Sequence, residues 1–136
     1  MERIELNDTV LGAVTGGACG TGAGMAAWAE NAVGWNYVWG GSGPSGVDCS
    51  GLICGYAYGC PRTSEAMFAT APVKGPISSM PELPGLGLYM PGHVGVYLGG
   101  GMAVDARNED AGVCRGSISS LPWTQWFEIP GISYGK

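Results

Sequence analysis

The sequence predicts an α+β domain, with helices first and hairpin-linked strands after. Three observations predict it. Helix-type spacing and caps are confined to the N-terminal half. The C-terminal half alternates short apolar runs with glycine turns. Trp123, Trp126, Phe127 and Ile129 then form an aromatic close suited to a last strand packing back on the core. Helices segregated from hairpins in this way favour an antiparallel sheet over alternating βαβ units.

Residues 1–21 read as a glycine-rich, loop-like lead-in, because Gly16, Gly17 and Gly20 weaken any helix there. Met25 to Val33 is a helix candidate with Met25, Trp28, Ala29 and Ala32 on one face, ended by Gly34. Trp35 to Trp39 is strand-like, and Gly40 to Gly46 is loop by composition. Asp48 is an N-cap candidate for a helix from Cys49 to about Tyr58. Thr63 to Thr70 is a further helical segment, with Thr63 or Ser64 as cap. Pro72 to Pro84 contains four prolines and reads as connector. Leu86–Met90 and His93–Leu98 form a hairpin about Pro91-Gly92. The Gly99–Gly101 turn leads to a strand from Met102 to Ala106, Arg107 to Asp110 is polar loop, and Val113 to Ile118 is another strand. No internal repeat or second domain is visible, so residues 1–136 read as a single catalytic domain.

Composition excludes several functions. Net charge is −5 with six basic residues and no cluster among them, which argues against binding a phosphate backbone. No uninterrupted apolar run is long enough to span a membrane. The start, Met1-Glu2-Arg3-Ile4-Glu5, is mainly acidic where a secretory signal would be basic, so an extracellular role calls for another export route, a removed leader or release by lysis. The five cysteines are an odd number, so at least one thiol is free or paired outside the chain. Most of them read as buried small apolar groups. There is no CxxC pair and a single histidine, so no structural zinc site and no metal is expected.

The chemistry concentrates on Cys49 and His93. A thiol nucleophile needs a base, and His93 is the one imidazole in the chain. Cys49 at a helix start faces unsatisfied N–H groups that favour a thiolate and could hold an oxyanion. Asp48 opposes this unless its carboxylate points elsewhere. His93 heads an alternating run in which Val94, Val96 and Leu98 share one face while His93, Gly95 and Tyr97 share the other, expected to meet the cleft. Gly92 and Gly95 leave room beside the imidazole. Asp105 stands in an otherwise small or apolar run and is the candidate to orient the imidazole, since a buried carboxylate needs a partner. Taken singly, each residue has an ordinary reading: packed thiol, satisfied histidine, strand-edge aspartate.

The motifs go further. Tyr37-Val38-Trp39-Gly40-Gly41, Pro44, Gly46 and Asp48-Cys49-Ser50-Gly51-Leu52 resemble the nucleophile motif of the NlpC/P60 family, papain-like cysteine peptidases that hydrolyse bacterial cell walls. Gly92-His93-Val94-Gly95-Val96-Tyr97-Leu98-Gly99 resembles its histidine strand, in the family's order. The resemblance covers roughly residues 24–107. It implies a central antiparallel sheet with the nucleophile helix packed against it. It implies Cys49 as nucleophile, His93 as general base, Tyr37 near the oxyanion site, and Asp48 and Ser50 as substrate contacts. The third position falls twelve residues after the histidine, at Asp105, where many relatives have histidine. The implied reaction is hydrolysis of peptidoglycan stem-peptide amides through a thioester, often at the γ-D-glutamyl to diamino acid bond, without cofactor. Alternatives are an N-acetylmuramoyl-L-alanine amidase on the same fold, acyl transfer to another amine, or a catalytically silent binding module. Leu121-Pro122-Trp123-Thr124-Gln125-Trp126-Phe127-Glu128-Ile129-Pro130 resembles the C-terminal end of phage-associated members, which implies release to the wall by lysis.

Overall fold

The structure is a computed structural model that describes residues 20–135; the reading of residues 1–19 lies outside it. In chain order the elements are β1 (Gly20–Thr21), α1 (Gly22–Asn31), β2 (Ser42–Gly43), β3 (Gly46–Val47), α2 (Cys49–Cys54), α3 (Ser64–Thr70), β4 (Lys74–Pro76), β5 (Gly87–Met90), β6 (His93–Gly99), β7 (Met102–Asn108), β8 (Gly112–Ser117), β9 (Gln125–Phe127) and β10 (Ile132–Ser133). Six of the strands form an antiparallel sheet in the order β4-β9-β5-β6-β7-β8. β1 and β10 pair in parallel at one margin, and β2 and β3 form a small hairpin in the glycine loop before Cys49. The expected α+β class and antiparallel sheet are present.

Helix α1 begins at Gly22, earlier than the sequence predicts, because Thr21 caps it by accepting from Gly24 N at 3.0 Å. The glycines that lower helix propensity there are required by packing: a Cβ on Gly24 would fall on the Tyr56 hydroxyl, and one on Gly22 on Pro84 O. Helix α2 stops at Cys54, short of the predicted Tyr58, after which the chain turns through Gly59 at φ 81°. Gly51 lets α2 press on the preceding loop, since a Cβ there would strike Gly41 O. The Trp28 indole donates to Leu52 O at 2.9 Å and ties α2 to α1.

The proline-rich connector contains a strand. Lys74–Pro76 pairs with β9 at the sheet edge, where a missing proline N–H costs no ladder bond. Arg107 and Asn108, predicted as loop, extend β7: Asn108 pairs with Gly112, and Arg107 is the extra residue at a register shift between Ala106 and Asn108. Trp35–Trp39 contributes a single bridge, Tyr37 to Val47, in place of a strand.

Both faces of the sheet are buried. Val94, Val96 and Val104 pack with Met25, Leu52, Ile53 and Phe127 on the helix side. Leu88, Tyr97, Ala103, Trp123 and Trp126 form a second cluster on the other side. The face of β6 expected to meet the cleft beyond His93 is therefore covered. A Cβ on Gly95 would sit 2.9 Å from the Trp123 ring, so Gly95 makes room for that indole.

Candidate active site

Two local features place Cys49. Asp48 is extended (φ −96°, ψ −175°) and caps α2, its Oδ1 accepting from Gly51 N at 2.7 Å. Cys49 is thereby the first residue of α2, which packs against β6 through Leu52 and Ile53. His93 is the first residue of β6, directly after the Gly92 turn at φ 78°. The imidazole stands beside the Cys49 thiol, close enough that each group shifts the pKa of the other.

His93 Nε2 lies 2.9 Å from Asp105 Oδ2, which leaves Nδ1 for the thiol. Asp105 is 2% exposed, so its charge needs compensation within the protein. Arg107, two residues along the same strand, supplies it: Nη2 donates to Oδ1 at 2.8 Å and Nε to Oδ2 at 3.2 Å. His93, Asp105 and Arg107 thus form one line of polar contacts, with Cys49 beside the imidazole at its end.

The electrostatics favour a charged thiol–imidazole pair. Burial acts to raise the Cys49 pKa, but the His93 hydrogen bond, the Val94 N–H and the His93 charge outweigh it and the net shift is downward. The N–H that stabilises the sulfur is that of Val94, on β6. Burial acts to lower the His93 pKa, but hydrogen bonds to Asp105 and Cys49, with their charges, raise it to about 9. Asp105 is held below its usual range: burial opposes ionisation, and His93 and Arg107 overcome it.

An open cleft of about 390 Å³ lies beside the thiol, lined by Trp39, Asp48, Ser50, Arg62, Thr63, Ser64 and Gly92. That volume falls in the range of small-ligand clefts, enough for a short peptide segment. Asp48 Oδ2 accepts from Gly40 N at 2.9 Å and Oδ1 from Arg62 Nη1 at 3.0 Å, so its carboxylate is held by other partners, while its charge still acts to raise the Cys49 pKa. Ser50 donates to Arg62 O at 2.6 Å and accepts from Arg62 Nη1 at 2.7 Å. Tyr37 stands close enough to Cys49 and Asp48 that, after burial, their charges raise its pKa.

The chain matches the NlpC/P60 family over residues 34–130. It belongs to the NlpC/P60 family. Among solved structures, the NlpC/P60 domain of the peptidoglycan hydrolase SagA superposes with TM-score 0.66 at 26% identity, over 80% of this chain and 99% of that one. NlpC2 from Trichomonas vaginalis superposes with TM-score 0.67 at 25% identity, over 85% of this chain and 48% of that one. The probable endopeptidase p60 of Listeria seeligeri is 31% identical over 118 residues, 79% of this chain and 21% of that protein. A probable endopeptidase of Corynebacterium glutamicum (strain R) is 33% identical over 113 residues, 78% of this chain and 52% of that protein. The chain spans about a fifth of the Listeria relative's length and about half of the Corynebacterium one's. The papain-like arrangement of the sheet and the helices packed on it is that of the NlpC/P60 fold.

All six residues singled out from the sequence fall in one region of this NlpC/P60 domain. Three others were not singled out. Arg62 follows Pro61 with no signal but its charge; it closes on Asp48, Ser50 and Gly41 O (3.1 Å). Arg107 was assigned to loop; its place two residues after Asp105 on an extended strand is the signal that could have found it. Trp123 was read as core, which it is, yet its ring also stacks on His93 with centroids 5.5 Å apart and planes at 11°. Of the cysteines among the described residues, Cys60 is buried while Cys49, Cys54 and Cys114 are partly exposed, so the reading of most as buried apolar groups is corrected.

Proposed function

We propose that this chain is a cysteine peptidase that hydrolyses amide bonds within peptidoglycan stem peptides. The Cys49–His93–Asp105 line beside an open cleft is the observation that carries the reading. Its similarity to a peptidoglycan hydrolase and to probable endopeptidases supports the substrate class.

In the proposed cycle the Cys49 thiolate attacks the amide carbonyl carbon, and the carbonyl electron pair moves onto oxygen. The C–N bond then breaks, and the His93 imidazolium gives its proton to the departing amine. A thioester to Cys49 remains. Neutral His93 takes a proton from water as the water oxygen attacks the thioester, and the carboxylic acid leaves with the thiolate restored. Asp105 keeps Nε2 engaged throughout, so the ring presents Nδ1 to the sulfur and the leaving group. Tyr37 stands near the oxyanion, and Asp48 and Ser50 shape the wall that holds the acyl side. The bond proposed is the γ-D-glutamyl to diamino acid amide, and the place of action is the bacterial cell wall.

Digestion of purified peptidoglycan followed by mass spectrometry tests the reading. Fragments split inside the stem peptide are expected. Free stems beginning with L-alanine would replace it with the amidase reading, and an undigested wall with that of a silent module.

A further inference from the structure

The histidine strand is held at both ends by the same device. At its start, Glu65 Oε1 accepts from the Tyr89 hydroxyl at 2.6 Å and Oε2 from Gly92 N at 2.8 Å. At its end, Glu82 Oε1 accepts from the Tyr97 hydroxyl at 2.6 Å and Oε2 from Gly100 N at 2.6 Å. In each case one exposed carboxylate joins a strand tyrosine to the N–H of a positive-φ turn glycine (φ 78° and 62°).

The two clamps differ in what they join. Glu65 sits on α3, next to Ser64 and Thr63, which line the cleft. Gly92 lines the same cleft and immediately precedes His93. Nothing lies within 4 Å of the position a Gly92 Cβ would occupy, so the turn has little side-chain packing on that side. One helical turn after Glu65, Phe68 stacks on the Tyr89 ring at 4.0 Å and 8°. Helix α3 is thus fastened to β5 by a stack and to the histidine turn by a carboxylate. Glu82 makes the matching bonds at the far end of β6, and neither it nor Gly100 lines the cleft.

We propose that Glu65 is a positioning residue: it ties the turn bearing His93 to the helix lining the cleft, so base and substrate wall keep a fixed separation. This rests on the peptidase reading, in which His93 must meet both the thiol and the leaving amine.

The test compares Glu65→Ala, Glu65→Gln and Glu82→Ala in the full chain. Glu65 is exposed and alanine is a strong helix former, so the variant keeps its fold. Two readouts are taken: kcat and KM on a stem peptide, and the rate of Cys49 alkylation by iodoacetamide at neutral pH. Glu65→Ala is expected to lower kcat by about tenfold and to slow alkylation, because small misplacements of a base are costly. Glu65→Gln recovers most of the rate, its carbonyl accepting from Gly92 N while its amide donates to the Tyr89 oxygen. Glu82→Ala, which removes the matching bonds at the far end of β6, leaves both rates unchanged. Equal effects of Glu65→Ala and Glu82→Ala, or no effect of Glu65→Ala, would overturn the proposal. Alkylation decides it even if no stem peptide is cut, so failure of the peptidase reading is seen separately.

Discussion

Asp105 Oδ2 stands 2.9 Å from His93 Nε2 across the β6–β7 pair, and this bond determines which imidazole nitrogen is left for Cys49. A carboxylate in this place does two things. It orients the ring, and by its charge it helps raise the imidazole pKa to about 9. Asp105→Asn keeps an oxygen acceptor and removes the charge. It is expected to retain measurable activity with the alkaline limb of the pH profile moved to lower pH. Asp105→Ala is expected to lose about a hundredfold in kcat/KM. Steady-state profiles of the two variants check both statements.

The wild-type profile has a defined sign. The ion pair exists where Cys49, shifted below its usual value, has lost its proton and His93, shifted up to about 9, still holds its own. Activity is expected to rise as Cys49 ionises and to fall as pH passes about 9. The same raised pKa means that the His93 contribution to folding stability is full below its ordinary value of 6.5 and is lost as pH rises through about 9. Thermal melts of wild type and His93→Gln across that window should converge on the alkaline side.

Arg107 bonds both oxygens of Asp105 and leaves the buried carboxylate fully compensated. Arg107→Met keeps the stem and removes both bonds. Asp105 then takes up a proton more readily, so about a tenfold loss in kcat/KM is expected, deepening as pH falls. A variant profile parallel to wild type at every pH would contradict this role.

Trp123 covers the imidazole face, and Gly95 provides the space for it. Trp123→Leu is expected to cost about 2–4 kcal/mol of stability through the core it shares with Leu88 and Trp126. Trp123→Phe keeps a ring over His93 and should preserve the pH profile. Gly95→Ala pushes the indole away and should shift the alkaline limb. Denaturant melts and pH profiles of the three variants separate packing from stacking.

Trp39 is 82% exposed at the cleft rim, where a peptide bound in the cleft would cover its ring. Trp39→Ala is expected to raise KM several-fold, about 1 kcal/mol of lost apolar contact, with kcat little changed. Initial-rate kinetics on a stem peptide check the split.

The residues that could be read from the sequence were those whose role depends on local spacing. Asp48 caps the next helix, Cys49 follows it, and Asp105 returns beside His93 because two strands joined by the Gly99–Gly101 turn bring them to diagonal positions on neighbouring strands. Residues whose roles come from distant packing were illegible. Gly22 and Gly24 lower helix propensity, but Tyr56 and Tyr134 need their lack of side chains, so α1 forms where propensity argues against it. Lys74–Pro76 sits among prolines and becomes a strand because β9 offers it an edge. Arg62 reaches Asp48 from fourteen residues away, and Trp123 reaches His93 from thirty. No periodicity records such approaches.

In the proposed function Cys49 carries the amide hydrolysis. The most direct measurement is the rate of fragment formation from a stem peptide by wild type and by Cys49→Ala, followed by mass spectrometry. Fragments from wild type and none above the uncatalysed background from Cys49→Ala are predicted. The same fragments at the same rate from both proteins would contradict the account.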